Sequence, residues 1–273
     1  LSRAKADTFS APGNTTLPSS TRKTNMYKKR RVSVVIPALN EAQAIPYVIA
    51  DLQLLRNNEH EKLIDEIVVC DNGSTDHTYE IAKLAGAKLV YEPKAGYGRA
   101  CSKAICALKN PDIVLFIDAD HAFYAQQATT LIHAIDNGFD LAIGSRTLGR
   151  TEPDALTKPQ IFGNKLASTL IKLLWNTRVS DLGPFRAISY TALRQLNMTD
   201  KTFGWTVEMQ IKAIQNGMQI IETPVDTRCR IGKSKISGTI KGSIGAGAGI
   251  LGMIAKLWWQ QRQSVRQISV LPN

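Results

Sequence analysis

The sequence predicts an α/β fold: a single large domain on a mostly parallel sheet flanked by helices. Three observations lead there. Continuous β-branched runs alternate with amphipathic stretches from Arg31 onward, an order that builds parallel sheets covered on both faces. A chain of 273 residues is long enough to bury a sizeable core in one such domain. Finally, Asn40-Glu41, Asp71-Asn72-Gly73-Ser74 and Asp118-Ala119-Asp120 each follow a strand directly, so they converge on the crevice at the carboxyl ends of the strands, where such folds bind ligands.

Val32–Ile36 is the first strand, with Ser33 its lone polar residue. A helix from about Glu41 to Leu55 follows, then the strand Glu66–Cys70, a helix from Thr75 to Ala85, the strand Lys88–Tyr91 and a helix from Gly98 to Lys109. Ile113–Asp118 is an apolar strand, and His121–Ile135 suggests the helix after it. Beyond Asp120 the regular alternation changes. Leu141–Gly144 reads as a strand and Lys158–Trp175 as an amphipathic helix with Ile161, Leu166, Leu170 and Leu174 on one face. Val207–Gln215 reads as a helix and Gln219–Thr223 as a strand.

The formal net charge of +11 is unevenly placed. Residues 1–31 carry eight Lys/Arg against Asp7, and residues 227–241 carry five Lys/Arg and no acid, which leaves the rest nearly neutral. The first 30 residues, rich in Ser, Thr, Pro and Lys/Arg and without periodicity, are expected to form a disordered basic arm. A uniformly basic nucleic-acid binder would look different, so no specific nucleic acid is expected. Cys70, Cys101, Cys106 and Cys229 form no C-x-x-C pair and read as packing residues of a reducing compartment, which argues for a cytoplasmic setting. Residues 241–273 form a C-terminal amphipathic segment. Its Gly-rich stretch Ser243–Ala255 is too short to span a bilayer, but Trp258-Trp259 beside Arg262 and Arg266 suit three surfaces: the cytoplasmic face of a membrane, the chain's own domain, or a second subunit in a homodimer.

Asp118 and Asp120 are the most informative pair. In a continuing strand they share one face, where like charges beside an apolar sheet are compensated by a divalent cation with oxygen ligands; in a loop they merely cap the next helix. The motifs Val34–Glu41, Val68–Asp76 and Asp118–Asp120 together resemble those of inverting family 2 glycosyltransferases of the GT-A fold, a Rossmann-type α/β architecture. Within that family, Gly204–Met209, Asp181–Arg186 and Arg228-Cys229-Arg230-Ile231-Gly232-Lys233-Ser234-Lys235 are similar to the polyprenyl-phosphate (dolichyl-phosphate) hexosyltransferase branch. The resemblance covers about residues 31–240, taken as the catalytic domain.

The resemblance implies transfer of a hexose, with inversion, from a nucleoside diphosphate sugar (UDP- or GDP-linked, with a lean to UDP-glucose over GDP-mannose) to polyprenyl phosphate or another anionic acceptor; the alternatives are a soluble transferase acting on a small phosphorylated acid or a glycan hydroxyl, or a nonenzymatic module that binds a sugar nucleotide or nucleic acid. It implies Mg²⁺ or Mn²⁺ on Asp120, with Asp118 reaching the metal or the ribose. Pro37, Leu39 and Glu41 would enclose the nucleotide, although a first-turn Glu also complements a helix dipole. Asp71 would hold the base, or else make an Asx-turn before Gly73. Relatives show a second acid where this chain has Asn72, so Asn72 takes no acid's role. His121 is read as a neighbour of the metal rather than a ligand. Lys94 and Gly98 belong to a Gly-rich basic loop that suits phosphate or is a surface turn. Arg186, Arg228, Arg230, Lys233 and Lys235 form a second cationic set, able to grip a diphosphate or an acceptor phosphate or to stand as a solvated loop. Glu208 and Asp181 are the acids expected near the acceptor. A hydroxyl acceptor needs one of them as general base, whereas a phosphate acceptor needs none.

Overall fold

The computed structural model describes residues 30–232 and 240–268. The strands are β1 Val32–Ala38, β2 Glu66–Asp71, β3 Lys88–Tyr91, β4 Ile113–Phe116, β5 Leu141–Ser145, β6 Arg186–Ser189 and β7 Ile220–Pro224. The helices are α1 Ile45–Gln53, α2 Thr78–Leu84, α3 Tyr97–Ile105, α4 Ala128–Asp136, α5 Lys158–Trp175, α6 Tyr190–Leu196, α7 Trp205–Gln215 and α8 Ile240–Ile268. The strands form one sheet in the order β3-β2-β1-β4-β6-β5-β7. Neighbours run parallel except β6, which is antiparallel to both β4 and β5.

The sheet divides the core by strand alternation. Val34 and Ile36 of β1 face α1 and α4, with Ile49, Leu52 and Leu131, while Val35 faces the opposite layer with Cys101, Trp205 and Met209. Burying each such Val, Ile or Leu stabilises the fold by about 1.5–3 kcal/mol. A third cluster joins α5, α7 and α8 through Ala167, Ile171, Val207, Ile211, Met253, Ile254 and Leu257. The C-terminal segment therefore packs on its own domain. α5 begins with a Thr157–Gln160 capping box and stops at Asn176, which adopts the left-handed conformation (φ 52°).

Several expected boundaries move. α1 and α2 start at Ile45 and Thr78, after polar turns, and α4 starts at Ala128 behind the 3₁₀ turn Ala125–Gln127, so His121 lies outside the helix. β6 was not expected at all: it is four residues long, carries Arg186 and ends in Ser189, and it exists because β4 and β5 flank it on both sides. Cys70 and Cys101 are buried as expected, whereas Cys106 and Cys229 are exposed. Residues 1–29, Lys233 and Lys235 lie outside the described residues.

Candidate active site

A cleft of about 460 Å³ opens at the carboxyl ends of β1, β2 and β4. Its floor is the end of β1 with Pro37, Ala38 and Leu39; Glu41, Asn72, Tyr97, Asp118, Asp120, Arg146 and Arg230 bring polar groups to it. Gly163 and Asn164 of α5 and Gly247 and Ile250 of α8 form the far wall. Pro37, Leu39, Glu41, Asp118, Asp120 and Arg230, all singled out from sequence, are thus brought together.

Asp118 and Asp120 do not sit on one strand face. β4 ends at Phe116, Ala119 and Asp120 form a turn, and His121 is left-handed (φ 60°). The turn lets hydrogen bonds serve each carboxylate: Tyr97 Oη donates to Asp118 Oδ1 at 3.1 Å, and the Ala122 amide donates to Asp120 Oδ1 at 3.1 Å. Arg230 Nη2 pairs with Asp120 Oδ2 at 2.9 Å. Burial, and then the charge of Asp120, push the Asp118 carboxyl up to about 7, against the pull of Arg230, Tyr97 and Arg146. Burial and the neighbouring Asp118 raise the Tyr97 hydroxyl well above its ordinary value, so it serves as a neutral donor. A half-buried and a buried carboxylate that repel one another, both lining the cleft, are a donor set suited to a hard divalent cation. His121 turns away, its Nε2 lying 3.0 Å from Asp51 Oδ2.

The Gly-rich loop is not a phosphate cradle. The Gly98 amide donates to Thr202 O and the Arg99 amide to Lys201 O, each at 3.1 Å, so the first turn of α3 has given its donors to the 199–202 segment. A Cβ on Gly98 would collide with the Asp200 carbonyl. Lys94 is exposed and outside the cleft lining; its carbonyl accepts from Asn72 Nδ2 at 2.8 Å. Asn72 also donates to Glu92 O and accepts from the Gly96 amide, which makes it the clamp of this loop. An acid could not donate those two bonds, which accounts for the amide here. Asp71 turns its carboxylate to the Ser74 amide at 3.3 and 3.4 Å, the Asx-turn alternative.

The expected acids and Arg186 are also committed elsewhere. Glu208 is fully buried and accepts from the Thr199 amide and hydroxyl, the Asp200 amide and Lys212. Burial alone would raise its carboxyl, but those donors win and hold it below its ordinary value. Asp181 is buried against Arg146, accepting from its Nε at 2.8 Å and its Nη2 at 2.7 Å. Arg186 donates to the carbonyls of Gly183 and Thr206, and burial lowers it to about 10. None of Glu208, Asp181 or Arg186 lines the cleft. Arg228 lies behind it, donating to His121 O at 2.8 Å with its guanidinium 4.5 Å from the Tyr124 ring centroid. Sequence reasoning missed Arg146 and Tyr97. Arg146 directly follows β5, and the strand-end rule that found Asp118 would have found it.

An open sheet with a carboxylate pair at one strand end and Arg146 and Arg230 lining the same cleft is the kind of arrangement that α/β enzymes use to bind charged ligands. Residues 33–196 match the glycosyl transferase family 2 domain. The chain is 34% identical over 217 residues to an uncharacterized glycosyltransferase of Mycobacterium tuberculosis, covering 78% of this chain and 93% of that one. It is 30% identical to the dolichyl-phosphate hexose transferase of Haloferax volcanii, over 85% of this chain and 95% of that one. In fold it is similar to glucosyl-3-phosphoglycerate synthase from Mycobacterium tuberculosis, solved with Mn²⁺, UDP and glucosyl-3-phosphoglycerate (TM-score 0.64, 24% identity, 83% of this chain and 80% of that one). The chain belongs to glycosyltransferase family 2 and is a transferase with the GT-A architecture.

Proposed function

We propose that this glycosyltransferase moves a hexose, with inversion, from a nucleoside diphosphate sugar to a lipid phosphate of the polyprenyl type. UDP-glucose is the favoured donor and GDP-mannose the alternative. The observation that carries the acceptor class is the fate of the acids. Asp181 and Glu208 are both locked into other bonds, and the acids among the described residues lining the cleft are Glu41, Asp118 and Asp120, all at the donor end. A hydroxyl acceptor would lack a general base on its own side. A phosphate monoester, with a second pKa of about 6, is already an anion at neutral pH and needs none.

In this reading Pro37, Leu39 and Glu41 enclose the nucleotide, and Asp120 with Asp118 holds Mg²⁺ or Mn²⁺. The cation supplies neutralisation of the charge on the departing nucleoside diphosphate. Arg230 leaves Asp120 to meet the diphosphate, and Arg146, fixed by Asp181, faces the incoming acceptor phosphate. The enzyme works at the cytoplasmic face of a membrane, where its acceptor resides. The dolichyl-phosphate hexose transferase relative supports that acceptor, while the structural neighbour keeps a small phosphorylated acid as the competing one.

Calorimetric titration with UDP-glucose and GDP-mannose, each with Mn²⁺ and then with EDTA, tests the donor half. Metal-dependent binding of one donor is expected; binding of neither by folded protein overturns the proposal. Transfer assays offering polyprenyl phosphate and 3-phosphoglycerate separately then test the acceptor half.

A further inference from the structure

We propose that the outer face shared by α5 and α8 docks on an anionic lipid bilayer, with the far wall of the cleft opening onto it. The inference deepens the lipid-phosphate reading and rests on it for its purpose, although its test does not. α5 buries Ala167 and Ile171, and its opposite edge carries Phe162, Leu166 and Leu173, exposed at 69, 37 and 73%. At about 3.6 residues per turn these three form one stripe. α8 lies beside it, sharing the cluster of Ala167, Ile171, Met253 and Ile254, and Trp175 Nε1 donates to Gln261 Oε1 at 2.6 Å. Gly249 and Met253 sit against Phe203 and Gly204, which turns that edge of α8 toward α7. Leu251, Ala255 and Trp259 then fall on the edge beside α5, with Leu251 and Trp259 exposed at 38 and 60%. Two neighbouring helices thus present one exposed apolar face.

The charge on these helices selects the occupant. α5 carries Lys158, Lys165 and Lys172, α8 carries Lys256 and Arg262, and neither helix contains Asp or Glu. A second copy of the chain would set these cations against one another. An anionic bilayer pairs with them while accepting Phe, Leu and Trp at its interface. Among the described residues no helix is long and apolar enough to cross a membrane, so the contact is with the surface. Gly163 and Asn164 of α5 and Gly247 and Ile250 of α8 also line the cleft, so the seam between these helices joins the docking face to the site.

The test is co-sedimentation of the full chain with vesicles of pure phosphatidylglycerol and of pure phosphatidylcholine. Wild type is expected to pellet with the first and stay in solution with the second. F162S/L173S/W259S is expected to bind phosphatidylglycerol roughly 100-fold more weakly, with donor titration and oligomeric state unchanged. If that variant misfolds, K165E/R262E, which alters exposed side chains alone, is expected to show the same loss. The proposal is overturned if wild type ignores phosphatidylglycerol or if a folded variant pellets as tightly as wild type, which would hand the binding to residues 1–29. It is equally overturned if wild type is a dimer that the variants convert to monomer, since the face would then be a self-interface. Vesicle binding as expected with no donor binding by either protein would sink the proposed donor and lipid-phosphate reading and leave the docking face standing.

Discussion

Arg146 and Asp181 meet in a two-pronged pair, Nε to Oδ2 at 2.8 Å and Nη2 to Oδ1 at 2.7 Å, and the Arg146 amide adds a third bond to Oδ2 at 2.8 Å. The carboxylate is fully buried, while the arginine side chain is 16% exposed at the cleft. Asp181 is in turn fixed from behind, because Glu222 of β7 accepts from the amides of Ser180 and Asp181. One arginine is therefore aimed at the cleft by acids from two distant segments. D181N strands a buried guanidinium and is expected to cost about 3–5 kcal/mol in urea unfolding. R146K keeps the charge but loses the fork, and is expected to weaken acceptor use (KM rising) while donor affinity holds.

Asp120 tests the metal assignment. D120N preserves shape and the bond from the Ala122 amide while removing the charge. Several kcal/mol of charge stabilisation go with the cation, so transfer is expected to fall by about 100-fold or more. The accompanying calorimetry is expected to show donor binding that no longer responds to EDTA. A variant retaining the EDTA response would move the metal elsewhere.

Glu208 gives a pH signature of stability rather than activity. Its folded value lies below the ordinary 4.5, so its contribution is complete above about 4.5 and fades as pH falls through the folded value. At neutral pH E208Q is expected to be less stable than wild type by about 3 kcal/mol, since it unseats a buried charge network. The gap is expected to narrow steadily in melts taken well below pH 4.5. A gap constant with pH would mean that folding does not favour the ionised form of Glu208.

Two glycines separate close approach from mere flexibility. G98A drives a Cβ into the Asp200 carbonyl and is expected to cost about 2 kcal/mol. G252A, in the body of α8 with nothing near its added methyl, is expected to gain about 0.8 kcal/mol. Thermal melts of the two variants check both signs.

The parallel half of the fold was legible because β1, β2 and β4 are buried on both faces and must be apolar throughout, a pattern that composition alone reveals. β6 was not, because its identity as a strand comes from its neighbours rather than its own residues. The same limit applies to the site. Asp118 and Asp120 announce themselves as charges at the end of an apolar run. Glu208 and Gly98 carry equally conspicuous motifs, yet their partners, Thr199, Asp200 and Thr202, lie in a segment whose position no local spacing encodes. Arg146 was hidden for the opposite reason: alone after a short strand, it gains meaning through Asp181, 35 residues away.

The Arg228 bond to the His121 carbonyl and the Arg230 pair with Asp120 tie together points 107 and about 110 residues apart along the chain. Such links have to wait for the whole polypeptide during folding, whereas β1, α1 and β2 can assemble from adjacent sequence. The arrangement around Asp120 thus depends on contacts of high sequence separation, which is a different demand on the chain from that made by the neighbouring strands of the sheet. Any ligand that fills the cleft and touches both Asp120 and Arg230 would add its binding free energy to these late-formed links, so its presence would raise the resistance of the fold to unfolding.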